Sequence, residues 1–288
     1  MSGITFQSKI ERICAVVLDL LREHKTWIDG LPTTIRFLFY ELEQRGLATK
    51  PDREGPRKGM RRSIGWPPGS QDITDAVTRL REDGSIPWDW IADTERTLFV
   101  PNYWPDMATF KDDALASFRL NPWEPFEPPL ILTEAKGNAQ VLERVAALYR
   151  CPIAGVKGFT AGFLRTQIAP LLEDTRRDVL YLGDYDRSGF DIENSVRNTL
   201  EDAIGQLIPW QRIALTETQI RDKQIEPIWK VDKRDEQGHE AWECEALGQE
   251  GVVSVVRETL ASRLLRQDES IEAVQERERQ LTEEERRK

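Results

Sequence analysis

The chain contains 288 residues, which is enough for two domains that each bury a hydrophobic core. It has 40 lysines and arginines and 50 aspartates and glutamates, so its formal net charge is −10. Its three cysteines are isolated and it has only two histidines, which excludes a disulfide framework and a zinc site of Cys and His ligands. No apolar run approaches the roughly 20 residues of a membrane span, and the first residues lack a signal-peptide pattern, so we expect a cytoplasmic protein.

Three helices are predicted in the first part of the chain. Apolar residues recur every three to four positions between about Ile4 and His24, which predicts the first helix. A cap-type hydroxyl precedes a second helix from about Ile35 to Arg45, and a third is expected from about Ser70 to Glu82. Helices joined by short extended pieces are typical of a small helical or winged-helix domain, and we predict a winged-helix domain over residues 1–120.

A basic segment lies between the second and third predicted helices. Six of the thirteen residues from Lys50 to Arg62 are basic and two are acidic, and the glycines and prolines among them predict a loop. Such a loop can neutralise DNA phosphates in an acidic chain, because charges beyond about 8–10 Å are screened. We expect DNA contacts at Lys58, Arg61 and Arg62, with an ordinary solvated loop as the alternative.

A proline-rich segment separates this region from a second domain. The four prolines between Asn121 and Pro129 can continue neither a helix nor a central strand. After them, the apolar segments LILTE, CPIAGV, VLYLGDYD and RIALT alternate with helical patterns. This alternation is typical of a parallel sheet with crossover helices. We therefore predict an α/β fold, with the second domain over residues 128–288 ending in a charged helical tail.

Three carboxylates are expected at one edge of that sheet. Glu134 ends the first strand, and Asp184 and Asp186 follow the third strand two residues apart. Alternate residues of an extended segment point to the same side, so both aspartates can face one ion. Carboxylate oxygens of this kind suit Mg²⁺. The alternative is local turn chemistry, with the aspartates preceding Gly189 and Glu134 at the start of a helix.

The order strand–Glu, then strand–Asp-x-Asp, resembles the Rossmann-like TOPRIM domains of topoisomerases, primases and nucleases. In finer detail the chain is similar to the A subunit of topoisomerase VI and the meiotic double-strand-break transesterase, in a short form like those of mobile elements. The residues that match the motifs of this family are Lys157, Gly158, Arg165, Asp184, Asp186, Gly189, Ile192, Glu243, Ala246 and Leu247. The chain departs from the family at Tyr185, where a small residue is usual, and at Arg187-Ser188, where proline and an aromatic residue are common.

The same family carries Arg-x-x-aromatic-Tyr on a helix of its winged-helix domain, and Arg36, Phe39 and Tyr40 match this signature. Arg36 and Tyr40 are four residues apart and so share one helix face. The resemblance implies that Tyr40 attacks a DNA phosphate, with Mg²⁺ or Mn²⁺ on the three carboxylates, and leaves a 5′-phosphotyrosyl double-strand break. Taken alone, this aromatic run would be ordinary hydrophobic core.

The resemblance also implies several partners. These are double-stranded DNA, a second copy of the chain whose metal site receives Tyr40, and a separate ATPase subunit, because the chain contains no P-loop. Lys157, Arg165 and Arg187 are expected to contact DNA, and the protein is expected at the nucleoid. Two alternatives stay open: a metal-dependent TOPRIM nuclease in which water attacks, and a DNA-binding subunit without catalysis.

Overall fold

The structure is a computed structural model that describes residues 8–48, 69–92, 101–156, 161–173, 176–232, 235–265 and 269–287. Within these ranges the chain forms helices and a four-stranded parallel sheet, which confirms the predicted α/β class. The finer assignments to a winged-helix domain and a TOPRIM domain stay predictions. The expected DNA contacts Lys58, Arg61, Arg62 and Lys157, together with Gly158, lie outside the described residues.

The first three helices share an apolar core. Helix α1 (Lys9–Thr26) is preceded by a capping box at Ser8. Helix α2 (Ile35–Gln44) is capped by Thr34, whose hydroxyl accepts a hydrogen bond from a backbone N–H of the first turn. Helix α3 spans Ser70–Glu82, as predicted. The apolar faces of the three helices meet in a cluster of buried side chains that includes Ile13, Val17, Leu20, Leu21, Leu38, Leu42, Ile73, Val77 and Leu80.

A fourth helix, α4 (Met107–Ser117), was not predicted. Asp106 caps it by accepting a hydrogen bond from the Thr109 backbone N–H, but none of its own side chains is buried. Without one apolar face, the helix lacks the amphipathic pattern that sequence reasoning relies on. The described residues 69–92 and 101–128 contain no β-strand, so a wing is not seen in these ranges.

Four parallel strands form the sheet in the spatial order β2-β1-β3-β4, and all four were predicted. They are β1 (Leu130–Thr133), β2 (Ile153–Gly155), β3 (Val179–Leu182) and β4 (Trp210–Ala214). The central strands β1 and β3 are fully buried because helices cover both faces of the sheet. Thr133 lies opposite Leu182, so β1 and β3 end at the same edge of the sheet.

The helix predicted from Ala161 to Glu173 is interrupted. After α5 (Lys136–Leu148) and β2, helix α6 (Ala161–Phe163) continues as a π-helical turn and then as a 3₁₀ turn. Pro170 lies in the 3₁₀ turn, and a proline cannot donate the backbone hydrogen bond that a regular helix needs. The sequence pattern therefore located this crossover segment but predicted its regularity wrongly.

Helix α7 (Arg187–Ile204) starts five residues before the predicted Ile192, because Asp186 caps its first turn. It covers the face of the sheet that carries Tyr181. Helix α5 covers the opposite face, together with residues of the C-terminal part of the chain. This two-sided packing is typical of parallel sheets.

The chain after β4 contains a hairpin that was not predicted. Helix α8 (Glu217–Asp222) leads into the antiparallel strands β5 (Ile228–Asp232) and β6 (Asp235–Ala241). Most hairpin residues are charged or polar, so the alternation that signals a strand is missing. Two helices follow, α9 (Gly248–Leu265) and α10 (Ile271–Arg286), where a helical region was predicted. Among the described helices, none has the length and apolar content of a membrane span.

Candidate active site

The three predicted carboxylates lie at the carboxyl edge of the sheet. Glu134 directly follows β1, and Asp184 and Asp186 follow β3, the neighbouring strand. The Glu134 carboxylate accepts a hydrogen bond from the Asp184 backbone N–H, with 3.1 Å between Oε2 and N. The sheet topology therefore brings residues 50 positions apart into direct contact. In parallel sheets, functional residues concentrate at this edge.

The Asp-x-Asp segment is held by backbone hydrogen bonds. Asp186 Oδ1 accepts from the Gly189 N–H at 2.7 Å, and Asp184 Oδ1 accepts from the Cys244 N–H at 2.9 Å. A Cβ atom on Gly189 would lie 2.3 Å from the Asp184 carbonyl oxygen, so this position has room only for glycine. Gly189 therefore serves two purposes: its backbone N–H binds Asp186, and its lack of a side chain lets the chain pass close to the Asp184 carbonyl oxygen.

Two further glutamates join the cluster from the segment after β6. Tyr185 and Trp242 form a β-bridge, with 2.8 Å between the Tyr185 nitrogen and the Trp242 oxygen, which brings this segment beside the aspartates. Glu243 and Glu245 follow the bridge, and both side chains are buried. We call Glu134, Asp184, Asp186, Glu243 and Glu245 the acidic cluster. Glu243 matched a family motif in the sequence but was not predicted as a site residue, and Glu245 gave no sequence signal.

Lys230 of strand β5 enters the acidic cluster. Its Nζ lies 2.7 Å from Asp186 Oδ2, 3.5 Å from Glu243 Oε1 and 3.6 Å from Asp184 Oδ2. The lysine was missed because the hairpin that carries it was not predicted. Its ammonium group supplies positive charge among three carboxylates.

Arg36 of helix α2 enters from the other side. Its Nε lies 2.6 Å from Glu245 Oε1, and its Nη2 lies 3.7 Å from Glu243 Oε2. Its guanidinium also lies over the Tyr40 ring, 5.5 Å from the ring centroid. Arg36 therefore contacts the acidic cluster of its own chain, and Tyr40 of the same helix packs against Arg36.

Burial and charge shift the proton affinities of these groups. Burial, with a smaller contribution from Glu245, raises the pKa of Glu243 to about 7, although Arg36 acts in the opposite direction. Burial would raise the pKa of Asp186, but hydrogen bonds from Lys230 and the Gly189 backbone outweigh it and hold that pKa below its ordinary value. Burial lowers the pKa of Arg36, but Glu245 and Glu243 raise it by more, so it stays charged.

Tyr40 lines a cleft that reaches the acidic cluster. The cleft has a volume of about 680 Å³, and Glu243 and Ile228 also line it. The tyrosine is only 6% exposed, since Phe39 and Arg36 pack against its ring. The predicted meeting of Tyr40 with the metal site of a second copy concerns two chains and stays a prediction.

Hydrogen bonds hold helix α2 against the sheet half of the chain. The Glu41 carboxylate accepts a bond from the Gln249 backbone N–H at 2.8 Å and lies 2.6 Å from His24 Nε2. The buried Gln249 amide donates to the carbonyl oxygen of Gly30 at 2.8 Å. The distance between Tyr40 and the acidic cluster is therefore set by a buried polar network.

Arg212 fixes the backbone beneath the aspartates. Its Nη1 donates to the carbonyl oxygens of Gly183, Asp184 and Leu215 at 2.9, 3.2 and 3.1 Å. Its Nε donates to Glu193 of helix α7 at 2.7 Å. The arginine therefore joins the ends of β3 and β4 to the helix that Asp186 caps.

The donors of the acidic cluster fit a hard divalent cation, because they are all carboxylate oxygens. Their present geometry does not, since no three His, Cys, Asp or Glu side chains among the described residues are arranged to hold a metal. The oxygens instead contact backbone N–H groups and the Lys230 ammonium. Glu134, Asp184 and Asp186 are the side chains that would hold such an ion, and Lys230 now contacts the two aspartates.

Two predicted DNA contacts lie on the surface. Arg165, in the π-helical turn, and Arg187, the first residue of α7, both have exposed side chains. Arg187 directly follows Asp186 and so lies beside the acidic cluster. The arrangement as a whole combines carboxylates, partly buried cations and a phenol, the side chains that phosphoryl transfer uses. Comparison of the chain with protein families, with curated proteins and with solved structures found no match.

Proposed function

We propose that the chain is a divalent-metal-dependent DNA-cleaving enzyme whose sheet half is a TOPRIM domain. The meeting of Glu134, Asp184 and Asp186 at the edge of two central parallel strands is the observation that supports this most. Neighbouring carboxylates repel one another unless a cation lies beside them, and Lys230 supplies one to Asp184 and Asp186. A polar site built in this way is costly for the fold, which favours a functional role over a structural one.

Glu134, Asp184 and Asp186 would hold the divalent ion, which would supply positive charge to stabilise the phosphate and the departing 3′ oxygen. The residues of the chain provide the rest of the chemistry. The Tyr40 hydroxyl attacks phosphorus, a 5′-phosphotyrosyl bond forms, and the bond to the 3′ oxygen breaks. Arg36 stabilises the phenolate and holds the phosphate, because a guanidinium can bind two of its oxygens at once.

Proton transfer accompanies this exchange of bonds. The phenol must lose a proton as it attacks, and the 3′ oxygen must take one, from water, as it leaves. Glu243 lines the same cleft as Tyr40, and its pKa of about 7 suits a group that accepts a proton near neutral pH. We assign it the role of general base.

A double-strand break follows if two copies act on opposite strands about a two-fold axis. Arg165 and Arg187, whose side chains are exposed, would then bind the DNA backbone. Strand passage after cleavage would need a separate ATPase subunit.

Burial of Tyr40 favours a second candidate, a TOPRIM nuclease in which water is the nucleophile. The tyrosine is 6% exposed, and Arg36 is engaged by Glu245 and Glu243 of the same chain. In this enzyme Tyr40 would only pack against the arginine. The metal-binding carboxylates would be the same.

Covalent attachment separates the two candidates. Supercoiled plasmid is incubated with the protein and Mg²⁺, denatured, and analysed for protein linked to 5′ DNA ends. The proposed mechanism predicts an adduct that Tyr40→Phe abolishes together with cleavage, whereas Tyr103→Phe, at an 83% exposed position, leaves both intact. Cleavage that survives Tyr40→Phe without adduct supports water, and no cleavage by the wild-type protein with Mg²⁺ or Mn²⁺ contradicts both candidates.

A further inference from the structure

Lys230 occupies the position among the carboxylates where a cation is needed. Its ammonium nitrogen contacts Asp186 at 2.7 Å and lies within 3.6 Å of Asp184 and Glu243. The Asp186 side chain is 1% exposed and the Lys230 side chain 15% exposed, so little solvent reaches the contact. Charges in such a site interact more strongly than on the surface.

Both carboxylate oxygens of Asp186 are already engaged. Oδ1 accepts from the Gly189 backbone N–H, and Oδ2 contacts Lys230. Asp184 is engaged in the same way, by the Cys244 backbone N–H and by Lys230. A divalent ion that binds these aspartates would lie close to the ammonium group, and the repulsion between the two positive charges opposes metal binding unless Lys230 moves away.

We infer that Lys230 is an internal counter-ion that competes with the divalent cation and moves to a DNA phosphate when DNA binds. The inference rests on the proposed function. The lysine has a flexible four-carbon stem, so its ammonium can change partner by side-chain rotation while strand β5 stays in place. A DNA phosphate beside the acidic cluster can form a new ion pair with Lys230, which lowers the free-energy cost of breaking the Lys230–Asp186 ion pair.

This competition makes the binding of metal and of DNA cooperative. Without DNA, Lys230 weakens metal binding, and with DNA that penalty is reduced. By thermodynamic reciprocity, metal must strengthen DNA binding by the same factor. This competition would lower the fraction of enzyme that carries metal and can cleave when no DNA is bound.

Mn²⁺ binding to the full-length protein tests the inference without any cleavage assay. Free Mn²⁺ is measured by electron paramagnetic resonance for the wild type, Lys230→Met and the control Lys111→Met, which removes an exposed lysine of helix α4. Without DNA, Lys230→Met is expected to bind Mn²⁺ about tenfold more tightly than the other two proteins. With a short duplex, the wild type is expected to gain about tenfold in Mn²⁺ affinity and Lys230→Met to gain little.

The direction of the change separates competition from a structural role, since a damaged site would bind Mn²⁺ more weakly. Equal or weaker binding by Lys230→Met overturns the inference, and so does an equal gain from DNA in both proteins. Lys230→Arg keeps the charge and is expected to behave like the wild type. If Lys230→Met does not fold, Lys230→Gln takes its place in the same titration.

A failure of the proposed function gives a different result. If neither the wild type nor the Lys230 variants bind Mn²⁺, there is no divalent site and both ideas fail. If the wild type binds Mn²⁺, Asp184→Asn abolishes that binding, and the Lys230 variants bind like the wild type, only the inference fails.

Discussion

Arg36 and Glu245 form an ion pair with 2.6 Å between Nε and Oε1, although 209 residues separate them in the chain. Arg36 belongs to the helix that carries Tyr40, and Glu245 belongs to the acidic cluster. The Glu245 side chain is 1% exposed, while Arg36 is 38% exposed. The pair therefore links the tyrosine helix to the sheet edge and neutralises a buried carboxylate.

Removing Arg36 should destabilise the protein, because Glu245 would keep its burial and lose its partner. We expect Arg36→Met to lower the free energy of unfolding by about 1–3 kcal/mol. Urea denaturation followed by circular dichroism measures the loss. The double variant Arg36→Met/Glu245→Gln should lose less than the sum of the two single variants, and strict additivity would show that the pair contributes nothing.

Gly189 is expected to tolerate no side chain. A Cβ atom there would lie 2.3 Å from the Asp184 carbonyl oxygen, so Gly189→Ala must displace the backbone between the two aspartates. We expect a loss of about 1–3 kcal/mol in stability and of most cleavage activity. Gly162→Ala is the matched control, because a Cβ atom at that helical glycine meets nothing within 4 Å. Equal behaviour of the two alanine variants in unfolding and cleavage assays would contradict the steric argument.

The parts of the site that could be predicted from sequence are local. Asp184, Asp186 and Gly189 lie within six positions, and their spacing follows from one strand end and one helix cap. Glu134 could be added because parallel topology makes strand ends meet at one edge. The sheet was predictable for the same reason, since each buried strand carries its own apolar signal.

The contacts of the two cations of the site could not be predicted in this way, although Arg36 itself was singled out by the family resemblance. Lys230 lies on a charged hairpin without alternating apolar residues, and its contact with Asp186 spans 44 positions. Glu245, the partner of Arg36, is 209 residues away and becomes its neighbour only after helix α2 packs on the sheet half. Periodicity within a segment carries no information on such contacts. The helix α4 was missed because it buries no side chain and so shows no apolar face.

Glu243 should make stability depend on pH. Its pKa in the folded protein is about 7, above the ordinary value of 4.5, so the folded state binds this proton more tightly than the unfolded state. The resulting stabilisation is complete below about pH 4.5 and is lost as the pH rises through 7. For the metal-free wild type we expect a loss on the order of 3 kcal/mol at most from this group.

Glu243→Gln isolates that contribution, because the amide has a similar shape and does not titrate. The difference in unfolding free energy between wild type and Glu243→Gln should fall as the pH rises from 5 to 8. Urea denaturation at several pH values in the presence of a chelator measures it. A difference that stays constant with pH, or grows, would mean that Glu243 does not retain its proton in the folded protein.

Arg212 should control metal affinity without being a ligand. Its Nη1 contacts three carbonyl oxygens at the ends of β3 and β4, including that of Asp184, and a lysine cannot reproduce this set together with the bond to Glu193. We expect Arg212→Lys to weaken Mn²⁺ binding by at least about tenfold, because groups that orient metal ligands have effects of this size.

Arg197→Lys serves as the control, since Arg197 is 40% exposed and its ion pair is with Glu201 of its own helix. Should both lysine variants bind Mn²⁺ like the wild type in the same resonance titration, the backbone under Asp184 would be held well enough without Arg212. A loss confined to Arg212→Lys, with the protein still folded, would instead show that the carboxylate geometry depends on this one guanidinium.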